Sequence, residues 1–320
     1  MSAGNANPWL GLDVGGAKIL GVMVDGGKVL GSRKVESHRE QGPERVLERA
    51  LVLCRDLEVE HGPAAGVGVG LAGLVDWKTG VVLSSVILPG WDGFPLLARL
   101  EAAMEKPTFV DNDATAAGYG EYNALGRPPG LNMVLLTVGT GIGGAILLDG
   151  NLYRGATGVS GEFGNVTLDW QGEPCWCGNR GCLNMLGSGS AIAAHAAGLA
   201  DGDPRSRLHR VNRPVFVKDV AEAARAGDSA SARAIDRGAR ALGTGIANLI
   251  NIFNPDRVVL TGGVMEMGET FLSAIRAEAA RRAFKESFDH AIIATSTLGQ
   301  ATGAFGAACL VRDQRGKEAD

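Results

Sequence analysis

The sequence lacks any apolar run close to the roughly 20 residues that a helix needs to cross a bilayer. Its first residues also lack the basic stretch that opens an export signal, so a cytoplasmic protein without membrane contact is expected. Basic charge is not in excess either, because 31 Lys and Arg residues face 35 Asp and Glu residues, for a net charge of −4. Such a chain has no general attraction for phosphate polyanions, which argues against a nucleic acid partner.

Cysteine is scarce, and its few copies are unevenly distributed. Of the five cysteines, three crowd together as Cys175, Cys177 and Cys182. In a cytoplasmic protein such crowding favours a metal site over disulfides, and thiolates at this density are typical of structural zinc. The alternative is three reduced thiols packed in a loop.

Glycine, by contrast, is abundant, and its 48 copies cluster in short runs between apolar segments. Residues 9–34 alternate apolar runs with glycine pairs, which predicts three antiparallel strands. Apolar residues at helical spacing then predict a helix over 43–61. After further strands and helices, a second glycine-rich hairpin at 132–148 starts the same order again. The repeat predicts a mixed α/β fold of two related domains with a cleft between them.

Two glycine-rich turns occupy matching positions of this repeat, at residues 13–18 and 137–144. Successive glycines let backbone N–H groups point toward an anion, so both turns are predicted to bind phosphate. Neither has the P-loop pattern or the strand-to-helix context of a dinucleotide fingerprint, which disfavours hydride transfer. A third pair, Gly262 and Gly263, follows a predicted strand and fits a helix-entry turn as well as a nucleotide contact.

Three polar residues, Asp111, Asn112 and Asp113, lie where an apolar strand gives way to a helix. Asp and Asn are preferred helix caps, so at least one of them is expected to cap the helix. Three in succession exceed what a cap needs. A carboxylate here can accept a hydroxyl proton during phosphoryl transfer while the neighbouring amide orients hydroxyls.

Taken in order, these segments resemble the ROK family of bacterial sugar kinases and sugar-responsive repressors. The similar segments cover nearly the whole chain and comprise residues 13–18, 111–114, 137–144, 161–164, 175–182 and 261–263. ROK repressors carry an additional amino-terminal helix-turn-helix domain, whereas the first phosphate turn begins here at Asp13, so the kinase branch is expected. The resemblance implies two actin-like (RNase H-like) domains with a central cleft and an ATP-dependent sugar kinase.

The resemblance also implies roles for particular residues. Asp113 matches the catalytic base, Asn112 and Glu162 match sugar ligands, and Asp13 is a candidate water-mediated partner of Mg²⁺. The residues expected to bind ATP are Asp13, Gly15, Gly16, Ala17, Lys18, Thr137, Gly139, Thr140, Gly141, Gly262 and Gly263. Those expected to bind the substrate are Gly73, Asn112, Asp113, Glu162, Asn165 and Asn184. A homodimer or homotetramer is implied as well.

The chain departs from the family pattern mainly on the sugar side. Asn165 replaces a His that serves both sugar and zinc, and Asn184 replaces the Glu usual in family glucokinases. Ala17 replaces a Thr, and Ile87 a frequent Asn. The amides of Asn165 and Asn184 both donate and accept hydrogen bonds, whereas the family's His is ionisable and its Glu only accepts. Because these changes alter the hydrogen bonds offered to the sugar, the preferred substrate need not be glucose. An amino sugar, an epimer of glucose and a carbocyclic polyol all remain candidate substrates. The resemblance implies that the primary hydroxyl is the phosphoryl acceptor.

The predicted domains are a small one over 1–118 and a large one over 119–299, with a Cys-rich loop between positions 160 and 185. A carboxy-terminal helix near 300–315 is expected to pack back on the small domain. The zinc would be bound by Cys175, Cys177 and Cys182, with a fourth ligand position left to water, another side chain or nothing.

Two functions are alternatives to a kinase of altered sugar specificity, an ordinary glucokinase and a non-catalytic sugar sensor. Retention of Asp113 argues against the sensor, because a sensor needs no base.

Overall fold

The computed structural model describes residues 7–318, with side chains described as far as 314. The first part of the chain forms seven strands and three helices: β1 (Trp9–Val14), β2 (Lys18–Asp25), β3 (Lys28–Glu36), α1 (Pro43–His61), β4 (Val67–Leu71), β5 (Leu74–Asp76), β6 (Val81–Ser84), α2 (Leu96–Met104), β7 (Thr108–Asn112) and α3 (Asp113–Ala124). Five of these strands make one sheet in the order β3-β2-β1-β4-β7. The predicted hairpin of three antiparallel strands is confirmed, and β4 and β7 then continue the sheet in parallel.

The rest of the described chain forms a second set of elements: β8 (Met133–Val138), β9 (Ile142–Leu148), β10 (Asn151–Leu152), α4 (Leu183–Gly187), α5 (Gly189–Asp201), α6 (Val217–Arg225), α7 (Ser229–Phe253), β11 (Arg257–Thr261), α8 (Glu269–Arg282), α9 (Lys285–His290), β12 (Ile292–Thr295) and α10 (Thr302–Glu318). Its sheet has the order β10-β9-β8-β11-β12. If the strands of each sheet are counted in chain order, both sheets have the order third, second, first, fourth, fifth, which agrees with the predicted repeat. The α/β fold class is confirmed.

The described residues divide into two compact units. One comprises residues up to 130, residues 145–160 and residues from 297 onward, and the other comprises 131–144 and 161–296. The limits predicted from the sequence, 1–118 and 119–299, stay a prediction. Within the described residues, no helix combines the length and apolar character that a membrane span requires.

Helix α1 shows how local sequence determines an element of the first unit. Pro43 stands at its first position, where a missing N–H costs nothing, and Gly62 ends it at a φ of 90°. Its apolar residues recur every three or four positions, so one stripe is buried against the sheet: Val46, Leu47, Ala50, Leu53, Cys54 and Leu57. Burial of that stripe, rather than helix propensity, holds α1 in place.

Helix α10 packs on the opposite face of the first sheet, where two glycines make a flat surface. Gly11 of β1 and Gly68 of β4 are direct partners in the parallel ladder. A Cβ on Gly11 would lie 1.9 Å from the Ala304 carbonyl oxygen, and one on Gly68 would lie 1.8 Å from that of Ala307. No side chain fits at either position without moving the helix.

Gly68→Ala is therefore expected to destabilise the protein by about 1–3 kcal/mol, the usual cost of overpacking, and to lower the melting temperature by several degrees. Gly198→Ala is the control. Gly198 lies in α5 with nothing within 4 Å of an added Cβ, so this change should leave the melting temperature unchanged or raise it. Equal melting temperatures for Gly68→Ala and wild type in thermal denaturation would contradict the packing described.

Candidate active site

The acidic corner predicted from the sequence lies at a strand-to-helix junction, where β7 ends at Asn112 and α3 begins at Asp113. Asn112 caps the helix, because its Oδ1 accepts the backbone N–H groups of Ala114 at 2.9 Å and Thr115 at 3.0 Å. Its Nδ2 donates to Asp113 Oδ1 at 3.0 Å and to the Gly73 carbonyl at 3.1 Å. The predicted cap is confirmed, and the same amide orients the Asp113 carboxylate.

Asp113 is half-buried in the first turn of α3. The backbone N–H of Ala114 donates to its Oδ1 at 2.8 Å, alongside the Asn112 amide. A helix amino terminus stabilises negative charge, so the junction suits an ionised carboxylate, which is the form that can accept a proton. The arrangement gives Asp113 a fixed direction and a partly open surface, which a general base requires.

Beneath this junction lies an ion pair that sequence reasoning missed. Asp111 is 2% exposed, and its Oδ2 accepts from Arg154 Nε at 3.1 Å and Nη2 at 2.8 Å. Its Oδ1 accepts the backbone N–H of Asn112 at 2.9 Å. The Arg154 guanidinium lies 4.7 Å from the centre of the Trp77 ring, which packs one of its faces. Burial raises the pKa of Asp111, and the charge and hydrogen bonds of Arg154 oppose that rise.

The first glycine-rich turn is closed by a hydrogen bond from the Gly15 N–H to the Lys18 carbonyl at 3.0 Å. Burial raises the pKa of Asp13 to about 6, although the charge of Lys18 lowers it. The Lys18 ammonium donates to Gln300 Oε1 at 2.6 Å, close to the start of α10. A carboxylate desolvated in this way is stabilised by a nearby cation, and the role of Asp13 beside Mg²⁺ stays a prediction.

The second and third glycine elements lie side by side in the second unit. Strands β8 and β11 are parallel neighbours, with Thr137 opposite Thr261, so the segments that follow them leave the same edge of the sheet. Gly262 has a φ of 100°, and a Cβ there would lie 2.5 Å from the Val138 carbonyl oxygen. Only glycine fits that close approach. In the turn itself, the Gly143 N–H donates to Thr137 Oγ1 at 3.2 Å.

The sugar-side residues predicted in the second unit are also in mutual contact. Glu162 is exposed, and partial desolvation raises the pKa of its carboxyl. Asn165 Nδ2 donates to Glu162 Oε2 at 3.3 Å, and Asn184 Nδ2 donates to Asn165 Oδ1 at 3.0 Å. Asn184 is only 6% exposed, and its Oδ1 accepts the Ile142 N–H at 2.7 Å. The two asparagines that depart from the family pattern therefore contact each other directly.

The three thiols predicted as metal ligands converge. The Sγ atoms of Cys175, Cys177 and Cys182 all lie within 4.8 Å of one another, and those of Cys177 and Cys182 are 3.6 Å apart. Cys182 Sγ donates to the backbone carbonyl of Asn165 at 3.5 Å, whereas the Asn165 side chain is engaged with Glu162 and Asn184. Three soft ligands at this spacing fit a zinc ion, and the amide of Asn165, which replaces the family's His, is hydrogen-bonded to Glu162 and Asn184.

Comparison with known proteins agrees with this geometry. The profile of the ROK family matches residues 9–314. The chain belongs to the ROK family. Both the predicted family and the predicted actin-like fold are thereby confirmed.

Individual ROK proteins are similar over nearly the full length of this chain. The glucokinase of Halalkalibacterium halodurans is 33% identical over 315 residues, which cover 96% of this chain and 95% of the relative. The crystal structure of a ROK family glucokinase from Streptomyces griseus in complex with glucose and AMPPNP superposes with a TM-score of 0.86 and 32% identity, covering 96% of this chain and 99% of that one. The xylose repressor of Bacillus subtilis is 27% identical over 311 residues, which cover 95% of this chain and 77% of the repressor.

Proposed function

We propose that the protein transfers the γ-phosphoryl group of ATP to a hydroxyl of a hexose, an amino sugar or a sugar-like cyclitol. The observation that carries the proposal is the Asp113 carboxylate, held at the β7–α3 junction by the Asn112 amide in a chain of the ROK family. Similarity over 96% of the chain to a glucokinase and to a glucose–AMPPNP complex supports the same reaction class.

In this mechanism Asp113 accepts the proton of the acceptor hydroxyl. The hydroxyl oxygen forms a bond to the γ-phosphorus of ATP, and the bond between that phosphorus and the oxygen that leaves with ADP breaks. Asn112 orients the acceptor, and Gly73, Glu162 and Asn165 bind its other hydroxyls. The glycine-rich turns at 13–18, 137–144 and 262–263 bind the nucleotide through backbone N–H groups. Mg²⁺, when bound, neutralises charge on the phosphates, and Asp13 is the residue that would help to hold it.

The acceptor is the primary hydroxyl, the 6-position of a hexose or its equivalent in a ring analogue. A coupled ADP-release assay with ATP and Mg²⁺ tests the proposal against glucose, its epimers, amino and N-acetylamino hexoses and cyclitols. Turnover of one class well above the rest identifies the substrate, and best turnover of glucose makes the protein an ordinary glucokinase. Sugar binding without ADP release from any member of the panel would contradict the kinase proposal and favour a non-catalytic sensor.

The proposal includes a structural zinc ion held by the thiolates of Cys175, Cys177 and Cys182, which braces the loop between Glu162 and Asn184. Metal analysis of the purified protein is expected to give about one zinc per chain and none in Cys182→Ser. Asn165→His supplies an imidazole beside the thiols, so it should slow the release of zinc to a chelator. Wild-type protein that is free of metal, with all three thiols titratable in the folded state, would contradict the zinc site.

A further inference from the structure

A chain of hydrogen bonds connects the second glycine-rich turn to Glu162. The Ile142 N–H donates to Asn184 Oδ1 at 2.7 Å, Asn184 Nδ2 donates to Asn165 Oδ1 at 3.0 Å, and Asn165 Nδ2 donates to Glu162 Oε2 at 3.3 Å. We call these four residues the amide relay.

The direction of every bond in the amide relay follows from its first member. A backbone N–H can only donate, so Asn184 must present its oxygen to Ile142 and its nitrogen to Asn165. Asn165 must then present its oxygen to Asn184, which leaves its nitrogen facing Glu162. The ionised carboxylate of Glu162 can only accept, so it completes the chain without conflict.

Burial makes Asn184 the fixed centre of the amide relay. The residue is 6% exposed, and a buried amide costs free energy unless its polar atoms are hydrogen-bonded. A Cβ on Gly164 would lie 2.5 Å from Asn184 Nδ2, and one on Gly141 would lie 3.4 Å from its Oδ1. The side chain is thus packed between the glycine-rich turn and the segment that carries Glu162.

We propose that Asn184 does not touch the substrate but is a positioning residue that couples the turn at 137–144 to the carboxylate of Glu162. This inference rests on the proposed function for its kinetic consequences. A Glu at position 184, the residue usual in family glucokinases, would be longer and could not donate to Asn165. Asn165 and Asn184 therefore act as a matched pair, and together they set the direction in which Glu162 meets the acceptor.

Two substitutions separate the halves of the amide relay. Asn184→Asp keeps an acceptor for the Ile142 N–H but loses the donor to Asn165, so only Glu162 is released. Asn184→Leu removes both bonds and releases the turn as well. Asn165→Ala, at a half-buried position, removes the donor to Glu162 and the acceptor for the Asn184 amide but leaves the bond from the Ile142 N–H to Asn184 in place. It serves as the second variant should either change at Asn184 prevent folding.

Steady-state kinetics should divide these variants. Asn184→Asp and Asn165→Ala are expected to raise the KM of the acceptor by about tenfold or more with the KM of ATP near wild type, because a hydrogen bond to a charged group is lost. Asn184→Leu should raise both KM values. The control is Met185→Leu, a volume-conserving change in α4 outside the amide relay, which should leave both values unchanged. An unchanged acceptor KM in Asn165→Ala, or equal effects on both substrates in Asn184→Asp, would overturn the proposal.

Amide hydrogen exchange tests the amide relay without any turnover. Exchange in residues 139–144 should be faster in Asn184→Leu than in wild type and unchanged in Asn184→Asp. If wild type phosphorylates no acceptor, yet the two variants differ from it in exchange as described, the proposed function fails and the amide relay stands. If wild type is an active kinase and neither variant at position 184 alters exchange or KM, the amide relay fails and the proposed function stands.

Discussion

Asp113→Asn is expected to lower kcat by about 10²–10⁴-fold, the usual contribution of a general base, while the dissociation constants of acceptor and nucleotide stay close to wild type. The asparagine keeps the shape of the side chain and an oxygen for the Ala114 N–H and the Asn112 amide. It cannot take the proton of the acceptor hydroxyl. The loss should therefore appear in kcat and in kcat/KM rather than in binding.

The matched control for this change is Asp228→Asn, which alters a carboxylate at the amino terminus of another helix, α7. Asp228 accepts from Ser206 Oγ and from the N–H groups of Arg207 and Ser231, so its substitution affects stability. At temperatures below its melting temperature, the Asp228→Asn variant should have the same kcat as the wild-type protein. Retention of more than about a tenth of wild-type kcat by Asp113→Asn would remove Asp113 as the base.

Arg154→Ala is expected to lower the free energy of unfolding of the unit that contains it by about 3–5 kcal/mol, because it leaves Asp111 buried without its partner. The Asp111 carboxylate is 2% exposed, and its Oδ2 accepts two hydrogen bonds from the Arg154 guanidinium. Arg45→Ala breaks the exposed pair of Arg45 with Glu48 and should cost less than about 1 kcal/mol. Chemical denaturation monitored by circular dichroism compares the two variants.

The pH dependence of this deficit identifies its cause. Burial already raises the pKa of Asp111 above its usual value, and loss of Arg154 removes the charge that opposes the rise. With the folded-state pKa above that of the unfolded chain, protonation favours the folded state, so the deficit of Arg154→Ala should shrink as pH falls toward 5. A double variant, Asp111→Asn with Arg154→Ala, should recover part of the stability at pH 8. A deficit that is independent of pH would assign the effect to lost packing against Trp77 instead.

Sequence predicted the parts of this molecule that depend on neighbouring residues. The paired hairpins, the helix over 43–61 and the Asn112 cap follow from turn chemistry, apolar spacing and capping preference, all of which act within a few positions. The hairpin of β5 and β6 and the helix α5 were not predicted. Helix α5 is rich in Ala and Gly, so its apolar stripe is weakly contrasted with the rest of its surface.

What sequence could not predict depends on contacts between distant positions. Asp111 and Arg154 lie 43 positions apart, and nothing near Arg154 distinguishes it from a surface arginine until the fold brings the two together. Asn184 was expected to bind substrate because of where it falls in a motif. Its burial, and its bonds to Ile142 and Asn165, appear only once α4 is packed against the glycine-rich turn.

The measurement that tests the kinase proposal most directly is the fate of the γ-phosphoryl group. Wild-type protein would be incubated with Mg²⁺, ATP labelled in the γ-phosphate and each member of the polyol panel, and the products would be separated by chromatography. We expect label in one phosphorylated polyol, formed in a one-to-one ratio with ADP, and almost none in that product with Asp113→Asn. Label that stays in ATP, or that appears only as inorganic phosphate whichever polyol is present, would contradict the account.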